Sequence, residues 1–339
     1  MKLSAGKLRG LEAVSDRRGV IAAAAMDQRG SLSKSLAKEK GVPEAEITVE
    51  MMSEFKTAVT AILTPHASAI LLDPEFGLEA ARKRSSNAGL LLAYEKTGYD
   101  NTRPGRIPEL LGNWSVYRLQ QAGAHCIKLL VHYTPFDSEA VNDEKKTLVE
   151  RIGAECACHD IPFFLEFVGY DPAGGDEKGP DYARRKPEVV ARSMEEFAKP
   201  QYAVDVLKVE IPVNLQYVEG TKSFKGPAAY TRQEALEHYR RAASVTNKPF
   251  IFLSAGVSNA QFTESLEMAA EAGVRFAGVL CGRATWKDGV PIYAKNGLKA
   301  LEDFLSTEGV KNIEAVNATL NNATPWFAAY GVQSAAALA

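Results

Sequence analysis

F-F-L-E-F at Phe163–Phe167 and V-D-V-L-K-V at Val204–Val209, with the helix-like segment Pro187–Ala198 between them, decide the fold. Two short apolar runs joined through an amphipathic segment read as a βαβ unit, because parallel strands need a crossover long enough to hold a helix. The unit repeats along the chain. Strand-like runs recur at Val20–Met26, Ala69–Leu72, Leu90–Ala93, Cys126–Val131, Phe250–Leu253 and Ala277–Cys281. Helical segments are expected at Val49–Leu63, Trp114–Ala122, Ala140–His159, Arg232–Thr246, Ala260–Ala272 and Ile292–Leu305, with Gly123 and Gly273 as stops. Only Leu78–Ser86 is available between the second and third runs.

Eight strands with intervening helices close most simply as an α/β fold, a (β/α)8 barrel whose site lies at the C-terminal strand ends. A doubly wound open sheet is the second choice; no G-x-G-x-x-G follows the first strand. No linker divides the chain, so a single domain is predicted over residues 1–339, with an N-terminal extension at 1–18 and a C-terminal one at 306–339. The Ala-rich end from Gln333 to Ala339 is expected to be disordered.

One ionisable residue interrupts or ends each of four apolar runs: Asp27, Lys128, Glu166 and Lys208. A lone charge in an apolar segment costs several kcal/mol unless it is compensated, so these four are expected to converge. Two lysines and two carboxylates together suit amine chemistry. Lysine attacks carbonyl carbon when burial or a neighbouring cation lowers its pKa, and Lys128 and Lys208 are expected to do this for each other. Alternation turns Lys208 into the barrel and Asp205 towards the helices. Glu166, on the intervening strand, is placed to move protons, with burial raising its pKa and the ammonium groups lowering it. Glu210 is expected to be structural and helix-facing.

After strands seven and eight come Ser254-Ala255-Gly256 and Cys281-Gly282-Arg283, where barrels commonly bind phosphate. Small residues let backbone N–H groups approach an anion, and Arg283 adds a bidentate contact. Asp27-Gln28-Arg29-Gly30 offers groups for sugar hydroxyls or phosphate. The loops Thr97–Pro108 and Gly169–Pro180, rich in Gly, Pro and charge, are candidate lids.

Composition narrows the partners. The 339 residues carry a net charge of -2 with no long basic block, so neither nucleic acid nor membrane is expected as a partner, and a small molecule is. Nothing near the N-terminus has the pattern of a signal peptide or membrane span, which makes a cytoplasmic location the expectation. The cysteines 126, 156, 158 and 281 suggest reduced thiols rather than a disulfide framework. Cys156 and Cys158 lie two apart on a helix and point away from each other, so C-A-C-H does not make a metal site. The histidines 66, 125, 132, 159 and 238 are scattered, which favours amine chemistry over metal chemistry.

At these residues the chain resembles the class I tagatose 1,6-bisphosphate aldolase family. The likeness runs in order through A-A-A-M-D-Q-R-G, S-A-I-L-L-D-P-E-F-G-L, L-L-L-A-Y-E-K-T-G-Y-D, E-R-I-G-A-E-C-A, I-P-F-F-L-E, D-V-L-K-V-E-I-P-V-N, L-S-A-G-V-S and G-V-L-C-G-R-A-T-W. The resemblance implies a class I aldolase barrel that needs no metal or other cofactor, in which Lys208 forms a Schiff base, Glu166 is the acid and base, and Lys128 assists electrostatically. It implies that Asp27, Gln28 and Arg29 contact substrate, and that Ser254, Leu280, Gly282 and Arg283 lie at a phosphate. The substrate implied is a sugar phosphate, tagatose 1,6-bisphosphate, cleaved reversibly to dihydroxyacetone phosphate and glyceraldehyde 3-phosphate. Alternatives are a 6-deoxy-6-sulfofructose 1-phosphate or fructose 1,6-bisphosphate aldolase, or a barrel that senses sugar phosphates. Enzymes of the family are often homo-oligomers, although no sequence feature here specifies an interface.

Overall fold

The computed structural model describes residues 2–339. Eight strands, β1 (Ile21–Ala25), β2 (Ala69–Leu72), β3 (Gly89–Ala93), β4 (Cys126–His132), β5 (Phe163–Val168), β6 (Val206–Glu210), β7 (Phe250–Leu253) and β8 (Gly278–Cys281), form a closed barrel. Each pairs in parallel with its chain neighbours, and β8 closes on β1. Every expected run overlaps its strand, and β3, β4, β5 and β6 each reach one residue beyond it. The strands are apolar on both faces because each face is covered: Ile127, Leu129 and Val131 pack towards the helices, while Ala23, Leu71, Leu91, Phe164 and Val206 fill the interior.

The helix Ala5–Val14 and the C-terminal tail close the lower end of the barrel. Leu11, Val14, Trp326 and Leu338 join the interior cluster, and Leu3 N–H donates to Leu338 O at 2.9 Å. The expectation of disorder at 333–339 therefore fails: Ala335–Leu338 forms a 3-10 turn and Leu338 is buried. An Ala-rich composition cannot reveal that one leucine has a socket to fill.

Other departures concern helices. Gly30–Lys40 and Val310–Thr319 are helical, and neither was expected. The helix after β5 runs Pro180–Phe197, with Pro180 in its first turn and Pro187 in its interior. The expected segment Pro187–Ala198 therefore starts seven residues late, and proline's preference for the first turn is met by Pro180. As expected, the segment between β2 and β3 is short, at Leu78–Lys83.

Candidate active site

In register, Glu166 on β5 lies opposite Lys208 on β6 and Leu130 on β4. Lys128, two residues before Leu130, points to the same face, so three strands turn one charged side chain each into the barrel. Lys128 Nζ lies 2.9 Å from Asp27 Oδ2, 2.7 Å from Glu95 Oε1 and 2.8 Å from Glu166 Oε2. Lys208 Nζ lies 2.8 Å from that same Glu166 oxygen. The four interrupted runs do converge, and all four groups are largely buried.

The two lysines differ in their surroundings. Burial disfavours the Lys128 ammonium, yet Asp27, Glu166 and Glu95 outweigh it and hold the pKa well above the usual lysine value. The expectation that each lysine lowers the other's pKa is corrected for Lys128, because three carboxylates surround it. Burial would raise the Glu166 pKa, but Lys128 and Lys208 reverse this and hold it below the ordinary carboxylate value, despite Asp27 nearby. Asp27 is likewise held low, with burial opposed by Lys128 and Lys208.

All ten sequence-predicted residues, Asp27, Gln28, Arg29, Lys128, Glu166, Lys208, Ser254, Leu280, Gly282 and Arg283, line one cavity of about 800 Å³ at the C-terminal strand ends. The exposed Arg283 guanidinium lies over Gly256, where an added Cβ would come within 2.7 Å of Arg283 Cζ. Gly256 has φ +77, so both its conformation and its lack of side chain are used. Arg29 is nearly enclosed and already engaged, with Nη1 2.7 Å from Glu75 Oε2 and Nη2 3.6 Å from Glu95 Oε1. Only its Nε is without a partner among the described residues.

Several residues of this network were missed. Glu95 ties Lys128 and Arg29 together and accepts from the Leu130 N–H at 3.0 Å. Lys56 lies 2.6 Å from Asp73 and donates to the carbonyls of Met26 and Gln28 at 2.7 and 2.8 Å, holding the chain on either side of Asp27. A signal existed: Glu95 stands two residues beyond β3, as Asp27 stands two beyond β1. Glu210 accepts from Gly169 N–H and pairs with Lys186 at 3.0 Å. Lys186 belongs to the helix Pro180–Phe197, so Glu210 is helix-facing as expected, although by strand alternation it shares Lys208's parity and its side chain turns aside at the strand end. Asp205 precedes β6 and pairs with Lys7 of the N-terminal helix at 2.8 Å. Arg106 and Glu177, 2.6 Å apart, join the two loops expected as lids.

A family model described as DeoC/LacD family aldolase matches residues 21–288, the whole barrel. The chain belongs to the DeoC/LacD family of aldolases. Among similar curated proteins, tagatose 1,6-diphosphate aldolase 2 of Enterococcus faecalis is 49% identical over 329 residues, covering 97% of this chain and 98% of that protein. The tagatose 1,6-diphosphate aldolases of Listeria monocytogenes and Staphylococcus aureus are each 46% identical, covering 98% and 96% of this aldolase and 96% and 99% of their own lengths. Solved folds agree at far lower identity. A Plasmodium falciparum fructose-bisphosphate aldolase aligns with TM-score 0.64 at 14% identity, over 95% of this chain and 96% of that one. An archaeal fructose-1,6-bisphosphate aldolase, solved with its catalytic lysine bound to a carbinolamine intermediate, aligns with TM-score 0.54 at 14% identity, over 91% and 98%. At such identities these two establish the fold of the aldolase and nothing more.

Proposed function

We propose that this aldolase cleaves tagatose 1,6-bisphosphate reversibly to dihydroxyacetone phosphate and glyceraldehyde 3-phosphate through a Schiff base on Lys208. The asymmetry between the lysines supports the assignment. Lys128 is held as a cation by three carboxylates, whereas Lys208 has one carboxylate partner, Glu166, which can take its proton. That transfer still leaves Asp27 and Glu95 balanced by Lys128 and Arg29.

The neutral Lys208 nitrogen attacks C2, forming the C–N bond of a carbinolamine. Two protons lost from the nitrogen leave on the departing water, relayed by Glu166, and an iminium remains. Glu166, again a carboxylate, takes the proton of the C4 hydroxyl as the C3–C4 bond breaks. The electron pair of that bond moves onto C3 and is delocalised into the iminium as an enamine. Glyceraldehyde 3-phosphate departs, protonated Glu166 returns its proton to C3, and water hydrolyses the iminium to free dihydroxyacetone phosphate and Lys208. Lys128 keeps Glu166 ionised between these transfers. The loops at Ser254–Gly256 and Gly282–Arg283 hold the ketone-side phosphate through backbone N–H groups and the guanidinium.

Near-full-length relatives named tagatose 1,6-diphosphate aldolase support the choice of sugar. Turnover of the bisphosphates of tagatose and fructose, and of 6-deoxy-6-sulfofructose 1-phosphate, tests it. Tagatose 1,6-bisphosphate is expected to be cleaved with a kcat/KM at least equal to the others. Preference for the sulfonated sugar overturns the substrate, and binding without cleavage of any sugar makes the barrel a sensor.

A further inference from the structure

His132 ends β4, four residues beyond Lys128 and on the same face of the strand. At about 3.3 Å per residue, its Cα stands about 13 Å further along the strand, towards the mouth. The ring lines the same cavity as Lys208 and Glu166. It meets Tyr99 edge to face, with centroids 5.0 Å apart at 70°. Among the described residues no hydrogen bond forms to it. Its ring nitrogens are not among the buried unpaired atoms, so no protein group competes with a ligand hydroxyl that replaces water there.

Position within the barrel says which part of a ligand that is. In the closed ring of eight strands β4 lies opposite β8, so His132 stands across the mouth from Gly282 and Arg283. On the reading above, the ketone-side phosphate sits at the β7 and β8 loops and C2 sits at Lys208 on β6. The rest of the sugar then extends towards β3 and β4.

We propose that His132 hydrogen-bonds to the hydroxyl groups of the aldehyde-forming half of the sugar phosphate and thereby helps set the preference between ketohexose epimers. The proposal rests on the aldolase reading. Burial, with Arg106 and Lys145 nearby, lowers the His132 pKa to about 4 in spite of Glu166, and Lys128 acts in the same direction. At neutral pH the ring is therefore uncharged, with one nitrogen donating and the other accepting, which suits a hydroxyl better than a phosphate.

Two substrates separate this role from a structural one. Dihydroxyacetone phosphate contains only the ketone half, so its borohydride trapping on Lys208 should stay within about twofold of the parent in both H132N and H132F. Cleavage of the six-carbon bisphosphate should fall about tenfold in kcat/KM for H132F, with the tagatose-to-fructose ratio shifted about threefold or more. H132N, which keeps a donor and an acceptor, should recover most of the loss. Unchanged cleavage and ratio in H132F overturn the proposal, as does a parallel loss of trapping and cleavage in both variants, which marks a structural role. Failure of the parent enzyme to trap dihydroxyacetone phosphate removes the Schiff-base reading and this proposal with it.

Discussion

Glu166 Oε2 lies 2.8 Å from Lys208 Nζ, and Lys128 Nζ approaches the same oxygen equally closely. One carboxylate oxygen thus joins a lysine with a single carboxylate partner to another that three carboxylates surround. Register creates the contact, since Glu166 and Lys208 are direct cross-strand partners on adjacent parallel strands. The ionisation of Glu166 is set by its burial on one side and by Lys128 and Lys208 on the other.

Replacing Lys128 with Met should therefore change the pH profile as well as the rate. Glu166 is held below its ordinary pKa of 4.5 because Lys128 and Lys208 together outweigh burial. Without Lys128, burial has one fewer opponent and the pKa rises. The acidic limb of kcat/KM should then move to higher pH, by about one unit or more. Asp27, Glu95 and Glu166 would also lose their central cation, at a cost of about 3–5 kcal/mol in folding stability. Activity measured against pH, alongside urea unfolding, checks both. An unmoved limb would show that Lys128 does not tune Glu166.

Lys56 and Asp73 form a fully buried pair beside the segment Met26–Gln28. Lys56→Met should cost about 3–5 kcal/mol, because it strands the Asp73 carboxylate. Adding Asp73→Asn should recover part of that stability, but not the KM for the sugar bisphosphate. The two Lys56 bonds to the carbonyls of Met26 and Gln28 fix the segment carrying Asp27, and the double variant still lacks them. Urea midpoints and steady-state kinetics on the single and double variants separate the two effects.

Gly256→Ala tests the phosphate end. A methyl group there would meet the Arg283 guanidinium at 2.7 Å, on a backbone with φ +77. The guanidinium must move, and KM for the bisphosphate should rise about tenfold while kcat changes less than about threefold. A fall in kcat at constant KM would place Arg283 with the chemistry instead.

Strand positions were legible because both faces of each strand are covered, which writes short apolar runs such as Phe250–Leu253 directly into the chain. The central charges were legible for the converse reason: Lys128, Glu166 and Lys208 stand out against the apolar residues around them. Glu95 and the pair Lys56–Asp73 were harder to see. Glu95 lies just past a strand end in a polar loop, and Lys56 sits on the helix Val49–Leu63 with Glu50 and Glu54, where one more charge does not stand out. Only the closure of the barrel brings them to Lys128 and to the segment carrying Asp27. Periodicity also said nothing about the docking of Leu338 or the single partner of Lys208, both of which depend on residues distant in sequence.

Borohydride reduction in the presence of dihydroxyacetone phosphate, followed by peptide mapping, tests the central claim most directly. The label is predicted on Lys208 alone, and Lys208→Met should abolish both labelling and sugar cleavage, whereas Lys128→Met should leave Lys208 the only labelled site. Label on Lys128 or on any other residue, or cleavage that persists without Lys208, would contradict the account.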